Sequence, residues 1–304
     1  MFRTRWIAAI LVLIAGAAQA TSYGHPLENR IWDLREGVEI DRATLITRLS
    51  GADVTLLGEV HDNAEAHRAQ AAMVRLLEPA GLAVEMIPTK DEDDLNAFLA
   101  GGGSPSGIGP RIGWEEIGWP DWKIYEPVFA AWKPGVLTGG GVPREEVRRA
   151  MKEGAAAIPL TPSKADLLRV PLSAGMQESI EADMVVSHCG HFPKEMAPAM
   201  VEAQRLRDAS LAAAVSRARD ATGGKVALIA GNGHTRKDRG AGTYLPGELK
   251  VLSVGVLETH GEIGPETVAS AGLPYDFVWF VPPAEREDPC AVFKKKKNQS
   301  GRED

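Results

Sequence analysis

VTLLGEVH at residues 54–61 and VALIAGNGH at residues 226–234 share one form, an apolar run that ends in the motif G-x-x-H. Short apolar runs bounded by turn residues are typical of buried strands. Residues 82–87, 249–257 and 277–281 have the same character. The sequence therefore predicts strands at all five places.

The predicted strands at residues 54–57 and 82–87 are separated by a helical pattern. Between about residues 64 and 77, apolar side chains share one helical face, at Ala69, Ala72, Met73, Leu76 and Leu77. A strand, a helix and a second buried strand form a βαβ unit, in which the strands are parallel. We therefore predict an α/β fold, a mostly parallel sheet flanked by helices.

Residues 114–222 have a different pattern, with helices predicted at residues 121–133, 143–158 and 194–221 and few strands. We interpret this block as a helical subdomain or lid that is inserted between strands. The sheet and this insertion together form one predicted domain at residues 21–285.

Residues 1–20 have the three parts of a secretory signal: Arg3 and Arg5, an apolar run at residues 6–15, and Ala18-Gln19-Ala20 at the cleavage point. The apolar run is shorter than the ~20 residues that span a bilayer, which disfavours a membrane anchor. We expect cleavage after Ala20 and a soluble mature protein that is periplasmic or secreted.

The net charge is -7, which argues against a nucleic-acid partner because phosphate binding requires a basic surface. The basic run at residues 294–297 lies in a segment, residues 286–304, that we interpret as a disordered tail. The two cysteines, Cys189 and Cys290, have two interpretations. They pair as a disulfide in an oxidising compartment, or Cys189 acts as a ligand beside His188 and His191.

The two G-x-x-H motifs place His61 and His234 at the carboxyl edge of the predicted sheet, where open α/β sheets bind ligands. Glu59 lies beside the first histidine, and Glu85 interrupts the apolar strand at residues 82–87. Two imidazoles and two carboxylates at one edge could bind a divalent metal, perform acid–base chemistry or ligate iron.

Arg207 falls within a predicted apolar stripe of the longest helix, among Met196, Met200, Ala203, Leu211 and Ala214. A buried arginine needs an anionic partner. That partner is either a protein carboxylate, with Asp183 and Glu181 as candidates, or the carboxylate of a ligand.

Five segments in this order together resemble the ChaN-like haem-binding family: residues 56–63, 121–127, 187–190, 204–209 and 229–240. The resemblance extends from about residue 49 to residue 257. The family lies in a superfamily that includes the Tiki metalloproteases and erythromycin-esterase-like hydrolases. This chain departs from the family pattern in having no lipidated cysteine, His191 in place of an expected methionine, and glycines at residues 139–141 in place of an expected asparagine.

The resemblance implies an α/β fold with a helical subdomain, haem bound through a tyrosine or histidine, and a role in haem or iron acquisition. It also implies a homodimer that can bring two haems face to face, and a membrane-associated uptake partner. The residues that it points to are Glu59, His61, His67, Tyr125, Arg207, His234 and Tyr244.

A haem site needs an apolar slot, an axial donor and cations for the propionates. Trp114, Trp119 and Trp122 could line the slot, although tryptophans are more often ordinary core residues. The axial donor is either Tyr125 or Tyr244, or one of the histidines. His67 lies opposite the core stripe of its helix, a position that suits either a solvated residue or a donor facing the lid. The cations that could meet the propionates are Arg207, Arg236, Lys237 and Arg239.

The main alternative is a metal-dependent hydrolase. In it His61, His234 and Glu85 hold zinc or manganese, and Glu59 either completes the metal site or acts as the general base on a bound water. A third interpretation is a binding or scaffold protein whose histidines brace the edge of the sheet.

Overall fold

The structure is a computed structural model, and it describes residues 24–160, 165–187, 189–190, 193–259, 263–287 and 290. The predicted signal segment at residues 1–20 lies outside these ranges. So do His188, His191 and the lysine run at residues 294–297.

A single mixed sheet forms the centre of the described chain. Its strands are β1 (Ile31–Asp33), β2 (Val38–Ile40), β3 (Val54–Glu59), β4 (Gly81–Pro88), β5 (Val136–Gly141), β6 (Val226–Gly231), β7 (Val251–Glu258) and β8 (Phe277–Val281). Their order across the sheet is β2-β1-β8-β7-β3-β6-β4-β5. All neighbours from β8 to β5 are parallel, whereas β1 pairs antiparallel with both β2 and β8. The predicted α/β fold with a mostly parallel sheet is confirmed.

Helices cover both faces of the sheet. They are α1 (Arg42–Leu49), α2 (Ala64–Leu77), α3 (Glu92–Ala100), α4 (Ile108–Ile112), α5 (Trp114–Ile117), α6 (Trp122–Ala131), α7 (Arg144–Glu153), α8 (Ala174–Ser187) and α9 (Ala197–Thr222). Helix α2 begins where the Asn63 side chain accepts hydrogen bonds from the amides of Glu65 and Ala66, and α9 ends at Gly223, which has a φ of 61°. None of the described helices is long and apolar enough to cross a membrane.

Successive side chains of β3 pack into opposite layers of the core, one on each face of the sheet. Leu57 packs with the apolar side chains of α2 and α6, whereas Leu56 packs with those of α7 and α9. Helices α6 and α9 were expected to form part of one inserted subdomain, but they lie on opposite faces of the sheet. Most of the block at residues 114–222 is therefore part of the layers that cover the sheet.

Strand β5 lies within this block and was missed by the sequence pattern. Its sequence, VLTGGG, is rich in glycine, which is depleted in strands. A side chain at Gly140 would place its Cβ 2.3 Å from Cδ2 of Leu211, so glycine is what allows α9 to pack closely on the edge strand.

The beginning of the predicted tail is fixed to the domain. Arg286 forms ion pairs with Asp62 and Glu258, and Cys290 forms a disulfide with Cys189, two residues beyond the end of α8. The cysteines are thus a disulfide, and the interpretation of Cys189 as a ligand is wrong. Residues 291–304 lie outside the described ranges.

Candidate functional site

The parallel register brings the two G-x-x-H motifs together. Glu59, the last residue of β3, pairs with Gly231, the last residue of β6, and each histidine follows its strand. Glu85 lies on β4, the other neighbour of β6, and accepts a hydrogen bond of 2.8 Å from the amide of Gly231. The structure therefore places Glu59, His61, Glu85 and His234 at one carboxyl edge.

Glu59 is the anchor of a first cluster of polar side chains. Its Oε1 atom lies 2.7 Å from Nδ1 of His61 and accepts a hydrogen bond of 3.1 Å from the Tyr125 hydroxyl. Its Oε2 atom lies 3.3 Å from Nδ1 of His67 and has no partner with hydrogen-bond geometry among the described residues.

The charges within this cluster stabilise one another. Burial would raise the pKa of Glu59, but the neighbouring His67 and His61 hold it well below its usual range. Burial would lower the pKa of each of these histidines, but Glu59 outweighs that effect and raises it. The cluster therefore favours a carboxylate paired with imidazolium.

His234 is the centre of a second, separate cluster. Its Nδ1 atom lies 2.7 Å from Oδ1 of Asp208 and its Nε2 atom lies 3.3 Å from Oε1 of Glu85, while the Gln204 amide approaches Nδ1 at 3.0 Å. Burial opposes the charged form of His234, but the two carboxylates raise its pKa to about 10. Burial would raise the pKa of Glu85, but His234 lowers it to about 2, whereas burial raises the pKa of Asp208 to about 6.

The geometry does not support the predicted metal site of Glu59, His61, Glu85 and His234. Each histidine is directed at its own carboxylate, and both ring nitrogens of His234 are engaged. Within the described ranges, no group of three or more histidine, cysteine, aspartate or glutamate side chains could hold a metal ion.

A cavity of about 880 Å³, here called the edge cavity, opens between the carboxyl edge and α8. Its apolar wall comes from α8 and the residues before it, chiefly Leu172, Met176 and Ile180. Its polar wall carries the side chains His61, His234, Tyr244, Tyr275, Arg205, Arg236 and Arg239. The arrangement combines an apolar slot with donors that can bind iron and with cations.

The edge cavity contains some of the predicted ligands and not others. Tyr125 is fully buried, its hydroxyl donates to Glu59, and burial raises its pKa. His67 is also fully buried, and its ring nitrogens lie 3.1 Å from Oε1 of Gln70 and 3.0 Å from the carbonyl oxygen of His61. Neither side chain lines the cavity, so both support His61 from behind.

His67 lies opposite the core stripe of α2, as predicted, but it is buried and not solvated. Helix α6 covers that face, and the rings of His67 and Tyr125 lie 4.0 Å apart. Trp114 and Trp122 are likewise core residues, and Trp114 packs against both Trp122 and Tyr125. The ring of Trp119 instead lies 4.9 Å from that of His61.

Arg205, not Arg207, is the buried arginine of α9. Arg207 is half-buried, borders a different cavity and forms no ion pair or hydrogen bond with the described residues. Positions 205 and 207 differ by about 200° around a helix. Most sides of α9 are covered, so a single stripe was the wrong description; Met196, placed in that stripe, is 45% exposed.

Arg205 and Tyr244 form a pair within the edge cavity. The guanidinium donates to Glu202 at 2.8 Å and to the carbonyl oxygens of Leu168 and Val170. It also interacts with the Tyr244 hydroxyl, although its Nε atom is buried without a partner of hydrogen-bond geometry in the described structure. Burial raises the pKa of Tyr244, and Arg205 acts against that rise.

Two of the cations expected near the propionates line the edge cavity. Arg236 pairs with Asp238 at 2.7 Å and Asp183 at 3.7 Å, and Arg239 also pairs with Asp183. Asp183, one of the two candidate partners of Arg207, is therefore paired with these two arginines instead. Lys237 pairs instead with Asp276 at 2.9 Å.

Sequence reasoning missed several residues of this site, among them Gln204, Arg205, Asp208, Gly231 and Tyr275. An available signal was Asp208, a carboxylate among the apolar residues of α9, which needed a buried partner. Gly231 has a steric role, because a Cβ there would lie 2.9 Å from Nε2 of His61.

Comparison with known proteins shows the family to which this chain is similar. A family model described as haem-binding uptake, Tiki superfamily, ChaN, matches residues 45–245, about two thirds of the chain. Among curated proteins, none matches the sequence significantly.

Two solved structures illustrate the similarity of fold. A structure of ChaN from Campylobacter jejuni, which describes cofacial haem binding, is 21% identical, covers 82% of this chain and 95% of its own, and has a TM-score of 0.60. At that identity the likeness shows the fold alone. An erythromycin esterase in an open conformation is 15% identical over 88% of this chain and 86% of its own, with a TM-score of 0.38, too low for structural argument.

Proposed function

Because the chain belongs to the haem-binding uptake family of the Tiki superfamily that includes ChaN, we propose that it binds haem in the edge cavity and acts in haem or iron acquisition. The observation that carries this proposal is the cavity itself. Its volume of about 880 Å³ suits a large organic ligand, and its apolar wall faces histidine and tyrosine side chains on the other side.

Tyr244 is the proposed iron ligand. It lines the edge cavity, whereas Tyr125 is buried behind His61 and donates its hydrogen bond to Glu59. Burial raises the pKa of Tyr244, and Arg205 acts against that rise in favour of the phenolate, the form that binds ferric iron in proteins with tyrosine-ligated haem. Haem would supply the redox-active iron, and this chain would supply the axial oxygen and the apolar slot.

His61 is the alternative donor. Its side chain is 36% exposed, and its Nε2 atom has no hydrogen-bond partner in the described part of the chain. The raised pKa of His61 favours imidazolium, which cannot ligate iron, so we assign it to the wall facing the haem.

Arg236 and Arg239 are the proposed contacts of the propionates. Both already share Asp183, whose side chain is 51% exposed, so a propionate could replace that carboxylate with little loss of pairing.

We further propose that the protein works in an oxidising compartment such as the periplasm. The predicted secretory signal and the disulfide between Cys189 and Cys290 both support this location. A homodimer and a membrane-associated uptake partner are also proposed from the family resemblance. Sedimentation of the protein with and without haem tests the dimer.

A haem titration followed by absorption spectroscopy tests the proposal. We expect saturable binding with a Soret band typical of tyrosine ligation, and Tyr244→Phe should shift that band and weaken binding. Tyr275→Phe is the matched control, because Tyr275 lines the same cavity but donates its hydroxyl to the carbonyl oxygen of Asn232. Equal effects of the two variants would reject Tyr244 as the iron ligand. The absence of saturable binding would reject the haem site.

A hydrolase that needs no metal is a second candidate function. One observation favours it: Glu59 orients His61 through Nδ1 and the ring faces the edge cavity, so the charged imidazolium has the geometry of a general acid held by its orienting carboxylate. Hydrolysis of simple carboxylic esters, abolished in His61→Ala and unaffected by chelators, would support it. If the wild-type protein hydrolyses esters no faster than the His61→Ala variant does, the hydrolase function is eliminated.

A further inference from the structure

A second cavity of about 810 Å³ adjoins the edge cavity. Glu85 lines this second space, while its partner His234 lines the first. We call it the basic cavity, after the four cationic side chains around it: Lys90, Arg144, Arg148 and Arg207. The haem proposal makes no use of it.

The cations of the basic cavity have no acidic partners among the described residues. Thirteen of the eighteen arginines in the described ranges form ion pairs, and three of the remaining five line this one cavity. In a chain of net charge -7, such a concentration of uncompensated positive charge is not expected from composition. It creates a positive potential directed at the cavity.

Two carboxylates also line the basic cavity, but they do not neutralise it. Glu85 is committed to His234 at 3.3 Å and to the amide of Gly231 at 2.8 Å. Glu145, in the first turn of α7, is exposed, as are three of the four cations, so it offsets one of those four charges. The balance at the cavity therefore remains positive.

The rest of the lining is apolar and partly aromatic. Trp119 is half-buried, with its ring 4.9 Å from that of His61. Ile117, Val142 and Val147 are half-buried beside it, and Leu211 is fully buried. An aromatic and aliphatic surface of this kind favours the flat apolar body of a ligand.

From these observations we propose that the basic cavity is a second ligand site, which binds an organic anion with a planar apolar body and carboxylate groups. Arg144 and Arg148 lie one helical turn apart on α7, and Arg207 approaches from α9. Guanidinium groups arranged in this way can bind carboxylates in bidentate fashion. This site is independent of haem binding in the edge cavity.

Isothermal titration calorimetry with 2,6-naphthalenedicarboxylate tests the site on the mature protein. We expect binding at one site that weakens with added salt, because exposed charges are screened. The neutral dimethyl ester should bind at least about tenfold more weakly, which is the loss expected for a charge-assisted hydrogen bond. Absence of dicarboxylate binding, or equal binding of the ester, would overturn the proposal.

Variants locate the bound anion. Arg207→Ala and Arg148→Ala should each weaken dicarboxylate binding about tenfold or more, and Trp119→Ala should weaken both the diacid and the ester. Arg75→Ala is the matched control, because Arg75 is an exposed arginine of α2 that also lacks an ion pair in the described structure and does not line the basic cavity. Equal losses in Arg75→Ala and Arg207→Ala would mean nonspecific attraction.

Haem itself carries two carboxylates. A competition experiment therefore determines whether the basic cavity binds a separate anion or the propionates of haem. Protein saturated with haem should bind the dicarboxylate as well as the haem-free protein does, and Arg207→Ala should leave the haem affinity unchanged. If haem excludes the dicarboxylate and Arg207→Ala weakens haem binding, the cavity receives haem propionates, and a separate site is ruled out. A failure of haem to bind at all would reject the haem proposal but leave this test intact.

Discussion

The Nδ1 atom of His61 lies 2.7 Å from Oε1 of Glu59, a carboxylate that is fully buried at the end of β3. This contact fixes one ring nitrogen and leaves Nε2 close to Gly231 at the edge cavity. The ring of a histidine that is oriented in this way has a defined direction. Glu59 thus determines what His61 can present to a ligand.

Glu59→Gln should lower the pKa of both His61 and His67. The carboxylate is the common cause of their raised pKa values, and glutamine keeps the shape but removes the charge. Proton NMR titration of the two imidazoles measures the change. Glu65→Gln is the control, since Glu65 pairs with Arg68 on the exposed side of α2; an equal shift there would contradict a local cause.

The stability of the protein should fall at alkaline pH because of His234. Its pKa is raised from 6.5 to about 10, so its contribution is fully present below pH 6.5 and is lost as the pH rises through about 10. Urea unfolding at a series of pH values should show this decline in the free energy of unfolding. His234→Gln should flatten the profile in that range, and an unchanged slope would show that other groups cause it.

The edge of the sheet could be predicted from sequence because it depends on local patterns. Apolar runs define β3 and β6, and a parallel sheet then requires His61 and His234 to emerge at the same edge. The sequence could not predict that the two histidines belong to two separate clusters, each with its own carboxylate partners. Asp208 reaches His234 from α9, and this depends on how that helix packs on the sheet.

Packing also explains which predicted ligands were misplaced. His67 lies away from the apolar stripe of α2, a position that suits either a solvated residue or a donor facing the lid. Helix α6 covers that face and places Tyr125 against it, so the solvated alternative is wrong. Arg207 was chosen over Arg205 because a single stripe was assumed for a helix that is covered on most sides. Such errors arise wherever a helix has more than one packed neighbour.

Removal of the disulfide should affect both stability and haem binding. Cys189→Ser with Cys290→Ser opens a loop with a sequence separation of 101 residues. In the chain-entropy model this costs ~4 to 5 kcal/mol of unfolding free energy. Because Cys189 follows α8, which walls the edge cavity, the haem affinity should also fall. Denaturant unfolding and haem titration measure the two effects, and reduced wild-type protein should reproduce both; a reduced protein with full stability would contradict the assignment.

Gly231→Ala should displace the His61 ring with little damage to the fold. The added Cβ would lie 2.9 Å from Nε2 and 3.1 Å from Cε1 of His61, and these atoms are the far end of a side chain that can rotate away. The displaced ring would lose its alignment with Glu59, so the pKa of His61 should fall and the haem affinity should change. Gly247→Ala is the matched control, because its added Cβ meets nothing within 4 Å. Proton NMR of His61 and haem titration measure the outcome. If Gly231→Ala behaves like Gly247→Ala in both, the close approach of His61 to the end of β6 does not control the site.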